Sequence, residues 1–233
     1  MTGFPLEKLQ GLIGYSFSNP QILLEAFTHS SYAQEAPQGG RDNEQLEFLG
    51  DAVLSFLVSV RLADEFPEYE EGKLSRARAR LVAAEHLGKV AARLELGDFL
   101  RLGRGEEKTG GRAKSNLQVN ALEALLAAIY RDGGLAEARR FVDQFVLPQD
   151  LRASADELFS TDYKSALQEY LQGERAASAE YRVVFEAGPE HQKTFTVEVT
   201  SGDNWVARGT GGSKKAAEQQ AAKSLLEQLG RKS

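Results

Sequence analysis

The sequence predicts two folds in tandem: an all-α domain, then a small α+β domain of order α-β-β-β-α. Two observations predict this. Up to about residue 147 apolar residues recur every three or four positions, with few β-branched runs and with polar or glycine breaks, which is helical patterning. From residue 162 apolar and polar residues alternate between glycine-rich breaks, as strands of a half-buried antiparallel sheet require. At 233 residues the chain is long enough for a helical core plus one small module.

Each element has a local warrant. Asn19-Pro20 reads as a cap and first-turn pair opening a helix in QILLEAF. Further helices are expected over roughly 42–65, 73–94, 116–131 and 135–146, the last two parted by Asp132-Gly133-Gly134. PQDLRASADELFSTD begins with a proline and has little apolar periodicity, so a linker is expected there. The expected domains are therefore 1–148 and 162–230, with 149–161 between them. In the second, DYKSALQEYLQG reads as an amphipathic helix. AEYRVVFEAG, KTFTVEVTSG and NWVARGTGG read as strands, and the stretch from Ser213 as a closing helix. Two helices would cover one face of the sheet.

Composition narrows the setting. With no cysteine, neither a disulfide framework nor a thiolate metal site is possible, which suits a reducing compartment, and the cytoplasm is expected. The longest apolar runs, such as AVLSFLVSV, are too short to span a bilayer, so no membrane partner is expected. The start, MTGFPLEKLQ, lacks a basic segment followed by an apolar one, so no targeting signal is read there. The net charge of −6 argues at first against a nucleic-acid partner. Residues 162–233, however, hold ten acidic and ten basic side chains, so the acidic excess lies in the first part and any phosphate-binding surface is a local patch.

NEQLEFLGDAVL, residues 43–54, raises a sharper question. At 100° per residue, Glu44, Glu47 and Asp51 fall within about 60° of one another on a helix. Close like charges repel by a few tenths of a kcal/mol per pair in water and by more when partly buried, so the stripe either faces solvent or meets a cation. Acidic residues at this spacing are common on solvated helix faces, but Phe48 lies beside the acids, whereas Leu46, Leu49 and Val53 lie opposite, and an aromatic flank suggests a face that meets something. On a second helix, Asn120 and Glu123 share a face at i and i+3, and Glu123 is flanked by Leu122, Ala124, Leu125 and Leu126. Two acids from one helix and two oxygen donors from another suit a hard divalent cation such as Mg²⁺.

NEQLEFLGDAVL resembles the signature stretch of the ribonuclease III family. THSSY at 28–32, EGKLSRARARLV at 71–82, LGRGEEKTGGR at 102–112 and NALEALLAAIY at 120–130 agree with it. DYKSALQEYLQ, GPEHQKTFTVEV and GTGGSKKAAEQQAAKSLL, in that order, resemble a double-stranded-RNA-binding domain. The resemblance spans nearly the whole chain.

It implies an endonuclease domain in which Glu47, Asp51, Asn120 and Glu123 bind metal, with Asp51 and Glu123 catalytic and Glu44 and Glu71 as further acids of the cleft. It also implies hydrolysis of both strands of duplex RNA with Mg²⁺, for which Mn²⁺ substitutes, giving 5′-phosphates and short 3′ overhangs. The role implied is ribosomal RNA processing and messenger RNA turnover. The implied assembly is a homodimer in which Phe48 contacts the partner subunit. The family usually has Asp where this chain has Asn120, and three readings are open: a tolerated natural variant, an engineered change, or a weakened enzyme. The last leads to the alternative function, a protein that binds duplex RNA without cutting it. Gln45, where Arg is common, is a lesser departure.

Duplex RNA is read by shape, across two minor grooves and the phosphates between. Ser213, Lys214 and Lys215 open the last helix and join its free amides and positive dipole end to two cations, an apt phosphate grip. His191, in the GPEH turn, and Ser165 and Gln168, on the first helix of that domain, are the expected minor-groove contacts. LGRGEEKTGGR reads as an exposed loop offering Arg104, Lys108 and Arg112 to an RNA backbone. His29 and His86 read as helix-end or packing residues.

Overall fold

The computed structural model describes residues 5–36, 40–159, 163–189, 193–202 and 205–230. The chain divides into two compact units, Met1–Phe159 and Ser160–Ser233. In chain order the first carries α1 (Leu6–Ile13), α2 (Pro20–Ala26), α3 (Ser30–Glu35), α4 (Glu44–Glu65), α5 (Glu71–Leu81), α6 (Ala84–Arg93), α7 (Arg104–Lys108), α8 (Ser115–Phe141) and α9 (Ala155–Leu158).

α8 lies at the centre of this unit. Its run from Ala124 to Ile129 is buried on every side, and alanine at positions 124, 127 and 128 lets neighbouring helices come close. α4 packs along it through Leu46, Val53, Leu54, Leu57, Val58 and Leu62. The expected start of α2 is present: the Asn19 side chain accepts a hydrogen bond from the Gln21 N–H at 3.1 Å, and Pro20 fills the first helical position. The expected break at 132–134 is present as a kink, with Gly134 at φ 80° inside α8. Asp132 beside it accepts bonds from the Tyr15 hydroxyl and from the Ser18 and Asn19 N–H groups, at 2.8–2.9 Å, and so ties this corner to the start of α2.

Two expectations differ from the structure. The single helix expected over 73–94 is α5 and α6, because Ala83 is extended at φ −66°, ψ 143°. Neither glycine nor proline marks that break. The turn lets Ala77 and Leu81 on one side, and Leu87, Val90 and Ala91 on the other, enter the same core. Residues 149–159 of the expected linker pack on the first unit. Leu151 and Leu158 are buried in its core, and the Phe159 ring sits edge-on to Phe66 and Tyr69 at 4.8 and 4.5 Å.

The second unit has the expected order: α10 (Tyr163–Gly173), β1 (Glu180–Ala187), β2 (Thr194–Ser201), β3 (Trp205–Gly211) and α11 (Lys214–Gly230). The strands form one antiparallel sheet in the order β1-β2-β3, with Val197 opposite Val183 and Gly209, and an irregularity in β1 between Val183 and Phe185. α10 and α11 cover one face through Leu167, Leu171, Ala217, Ala221, Leu225 and Leu229, packed on Val197, Val199 and Ala207. Both units thus have apolar cores of their own, as separate domains require.

Candidate active site and nucleic-acid interface

The acidic stripe is placed by a helix crossing. Gly50 of α4 rests against the backbone of Glu123 on α8, so closely that a Cβ on Gly50 would stand 1.9 Å from the Glu123 carbonyl oxygen. Mid-helix glycine costs about 0.5–1 kcal/mol relative to alanine, and here the gain is contact that no side chain would permit. That contact sets Glu47 and Asp51, on either side of Gly50, beside Glu123.

A second tether fixes the start of α4. Asn43, only 4% exposed, donates from its backbone N–H to the Thr28 carbonyl at 2.9 Å and from its side chain to the Ala26 carbonyl at 3.3 Å. The segment from Ala26 to Ser30 is thereby held to the first turn of α4. The result is a cavity of about 500 Å³ lined by Glu44, Glu47, Asp51, Asn120 and Glu123, with Phe48, His29, Ser30 and Asn43 completing its wall. Five of the residues expected at the acidic cleft therefore meet in one pocket, with the expected dimer contact Phe48 in its wall. Glu71 does not line it: it stands at the start of α5, where its carboxylate accepts a bond from the Ser75 hydroxyl at 2.7 Å.

The electrostatics are those of a site short of positive charge. Burial, reinforced by the charges of Asp51 and Glu47, pushes the Glu123 carboxyl up to about 7. Burial, followed by Glu44 and Asp51, pushes Glu47 up as well. Among the described residues no three Asp, Glu or His side chains stand in metal-ligand geometry. The carboxylates are gathered without being converged, as repulsion between them dictates. The donor set fits a hard divalent ion: three carboxylates, whose mutual repulsion such an ion would relieve, and one amide oxygen, with Glu47, Asn120 and Glu123 half-buried and Asp51 exposed.

Phe48 is 81% exposed and Phe56 52% exposed. With Ala52 between them, also exposed, they form an apolar stripe at i, i+4 and i+8 along α4, bordering the acids. The Arg112 side chain, expected to face an RNA backbone, is bonded within its own unit. Its guanidinium binds Glu107 at 2.7 Å and the Gly97 and Asp98 carbonyls at 3.1 Å, which locks the turn before α8.

In the second unit Ser165 and Gln168 lie on α10, and Lys214 and Lys215 open α11 with both side chains exposed. Ser213 caps that helix, its hydroxyl accepting from the Ala216 N–H at 3.1 Å. Lys214 stands 5.7 Å from the centre of the Phe195 ring. His191 lies outside the described residues. Sequence reasoning missed Gly50 and Asn43 and read His29 as a plain helix-end residue. The signals were a glycine inside a strong helical pattern, which demands a packing reason, and an asparagine that reads as an ordinary cap.

The chain thus carries a carboxylate pocket at a helix crossing in its helical unit and a basic helix start in its α-β-β-β-α unit. A family model described as Ribonuclease-III-like matches residues 19–150, and one described as Double-stranded RNA binding motif matches residues 163–229. Ribonuclease 3 of Solibacter usitatus is 51% identical over 230 residues, covering 93% of this chain and 84% of that one. Ribonuclease 3 of Carboxydothermus hydrogenoformans is 45% identical, covering 96% and 95%. The solved nuclease domain of ribonuclease III from Campylobacter jejuni is 37% identical, with a TM-score of 0.57, and covers 60% of this chain and 95% of that one. This chain belongs to the ribonuclease III family of endoribonucleases. Among the described residues no helix is long and apolar enough to cross a membrane.

Proposed function

We infer that this endoribonuclease hydrolyses both strands of duplex RNA in a Mg²⁺-dependent reaction, leaving 5′-phosphates and short 3′ overhangs. The observation that carries this is the gathering of Glu47, Asp51, Asn120 and Glu123 at the crossing of α4 and α8. These four residues hold the ion, and Mn²⁺ serves in its place. When bound, such an ion acidifies water for in-line attack on phosphorus and offsets charge on the phosphate and the leaving 3′ oxygen.

The chain's own residues do the rest. Gly50 and Asn43 fix the spacing of the donors before substrate arrives. Glu123, raised to about 7 without metal, must give up its proton for the full negative charge of the pocket to develop. Asp51, exposed at the mouth of the pocket, and Glu123, half-buried at its wall, are the catalytic carboxylates. Glu44 adds negative charge to the pocket, which Glu71 does not line. The second unit holds the duplex, with Lys214, Lys215 and the Ser213 turn on phosphates and with Ser165, Gln168 and His191 toward minor grooves.

The exposed stripe of Phe48, Ala52 and Phe56, which a two-fold partner would cover with its own copy, supports a homodimer. Phe48 is the central contact. Two sites related by that axis would face the two strands of one duplex. The setting is the cytoplasm, and the substrates are ribosomal and messenger RNA precursors with paired segments.

Asn120 supports a second reading, in which the site lacks the charge to hold its ion and the protein binds duplex RNA uncut. The first reading stands ahead because three carboxylates remain and an amide oxygen can ligate Mg²⁺. The test is incubation of a long, perfectly paired RNA with the protein and Mg²⁺ beside single-stranded RNA and paired DNA. Cutting confined to the paired RNA, with 5′-phosphates on the products, supports the reading; an intact paired RNA overturns it.

A further inference from the structure

The wall of the acidic pocket includes an imidazole, that of His29. His29 ends an extended segment at φ −72°, ψ 150° and caps α3. Its Nδ1 accepts the Ser31 backbone N–H at 3.2 Å and lies 2.8 Å from the Ser31 hydroxyl. That hydroxyl oxygen accepts the Gly103 N–H at 2.9 Å, which leaves its own proton to donate to Nδ1. With Nδ1 serving as acceptor, the neutral ring carries its proton on Nε2.

The ring is also held in place. The His29 N–H donates to the Arg101 carbonyl at 3.1 Å, and the neighbouring Thr28 carbonyl accepts from Asn43 at the head of α4. His29 is half-buried and lines the pocket with Glu47, Asp51 and Glu123. Glu106, which lies near His29, has its carboxylate bound by Lys114 at 2.6 Å.

We propose that His29 is a substrate-binding residue of this site: its Nε2–H donates to a non-bridging oxygen of an RNA phosphate lodged in the acidic pocket. The proposal rests on the reading of that pocket as the place where RNA is cut. The acids alone repel a phosphodiester. A bound cation answers part of that repulsion, and a ring donor held in one orientation adds a directional contact without competing for the ion. Charge on the phosphate oxygens grows during in-line attack, so the contact strengthens toward the transition state and acts on kcat more than on KM.

Two variants separate this role from the capping role. In His29→Asn the Oδ1 atom replaces Nδ1 as the cap acceptor, and the donor in the pocket is lost. In His29→Gln the amide nitrogen reaches the position of Nε2, and the cap is lost. Cleavage of a perfectly paired RNA in saturating Mg²⁺ is expected to slow roughly ten- to one-hundred-fold in kcat for His29→Asn, the range of one hydrogen bond to a charged oxygen. KM is expected to change little, and His29→Gln to keep most of the rate. Equal rates for His29→Asn and the unaltered protein would overturn the proposal, as would equal losses in both variants.

A second readout does not depend on cutting. In protein with ¹⁵N-labelled histidine, the Nε2–H signal absent from His29→Asn is expected to shift when paired RNA is added with Ca²⁺. A signal that stays in place overturns the proposal. Failure of the unaltered protein to cut RNA would overturn the functional reading instead, and the ring signal would still decide for or against the contact.

Discussion

Gly50 and Glu123 touch backbone to backbone, with room for no Cβ between them. This contact joins the two helices that carry the carboxylates, so the geometry of the pocket depends on a residue that bears no functional group. Gly50→Ala must push α4 and α8 apart or rotate them, since the obstacle is a peptide carbonyl and not a flexible side chain. The expected result is a loss of about 2–4 kcal/mol in urea unfolding, in the range of overpacked or strained core sites. Cleavage should fall much further than stability. Unchanged unfolding and cleavage would show that the crossing tolerates a methyl group.

The raised Glu123 carboxyl makes a pH prediction with a definite sign. Its folded value of about 7 lies above the ordinary 4.5, so its contribution to stability is complete below about 4.5 and is lost as pH rises through about 7. Metal-free protein should therefore lose stability between pH 5 and 8, and Glu47 acts in the same direction. Glu123→Gln should flatten that slope and gain about 1–2 kcal/mol at pH 8, allowing for solvent screening of a half-exposed group. Thermal melts in a chelator at several pH values measure it. With metal present the order reverses: Mg²⁺ competes with the Glu123 proton, so cleavage at limiting Mg²⁺ should rise through pH 7, and more Mg²⁺ should move that rise to lower pH.

Much of this arrangement is legible in the chain. The acidic stripe, the partner pair Asn120 and Glu123, the helix break at 132–134 and the α-β-β-β-α order follow from periodicity and turn chemistry. Other features depend on tertiary contact and leave little local trace. The extended residue at Ala83 sits in a stretch with good helix propensity and is set by the core on both sides. Leu151, Leu158 and Phe159 are too few to show a period, yet they bury against the first unit. Asn43 looks like a cap but ties two segments together. His29 has an ordinary local role and enters the pocket because of that tether.

The double substitution Lys214→Ala and Lys215→Ala removes two exposed cations at the start of α11. Binding of paired RNA should weaken and its salt dependence should flatten, by up to about one unit of slope for each phosphate that is no longer neutralised. Titrations at several salt concentrations give the slope. If it does not move, the two lysines are not on phosphates.

Phe48→Ala removes the most exposed aromatic of the α4 stripe. Sedimentation should then shift toward the monomer, while melting of the helical unit at concentrations where both proteins are monomeric changes little, because Phe48 contributes little to the core. An unaltered dimer would place the interface elsewhere on the surface.

The most direct measurement is a time course of cleavage of a long, perfectly paired RNA in Mg²⁺, with the unaltered chain and Asn120→Asp side by side. Both should cut and leave 5′-phosphates, with the Asp form needing less Mg²⁺ because it restores one negative charge to the pocket. Cutting by Asn120→Asp alone would contradict the account, since the amide would then have switched off the chemistry of a protein that still holds duplex RNA.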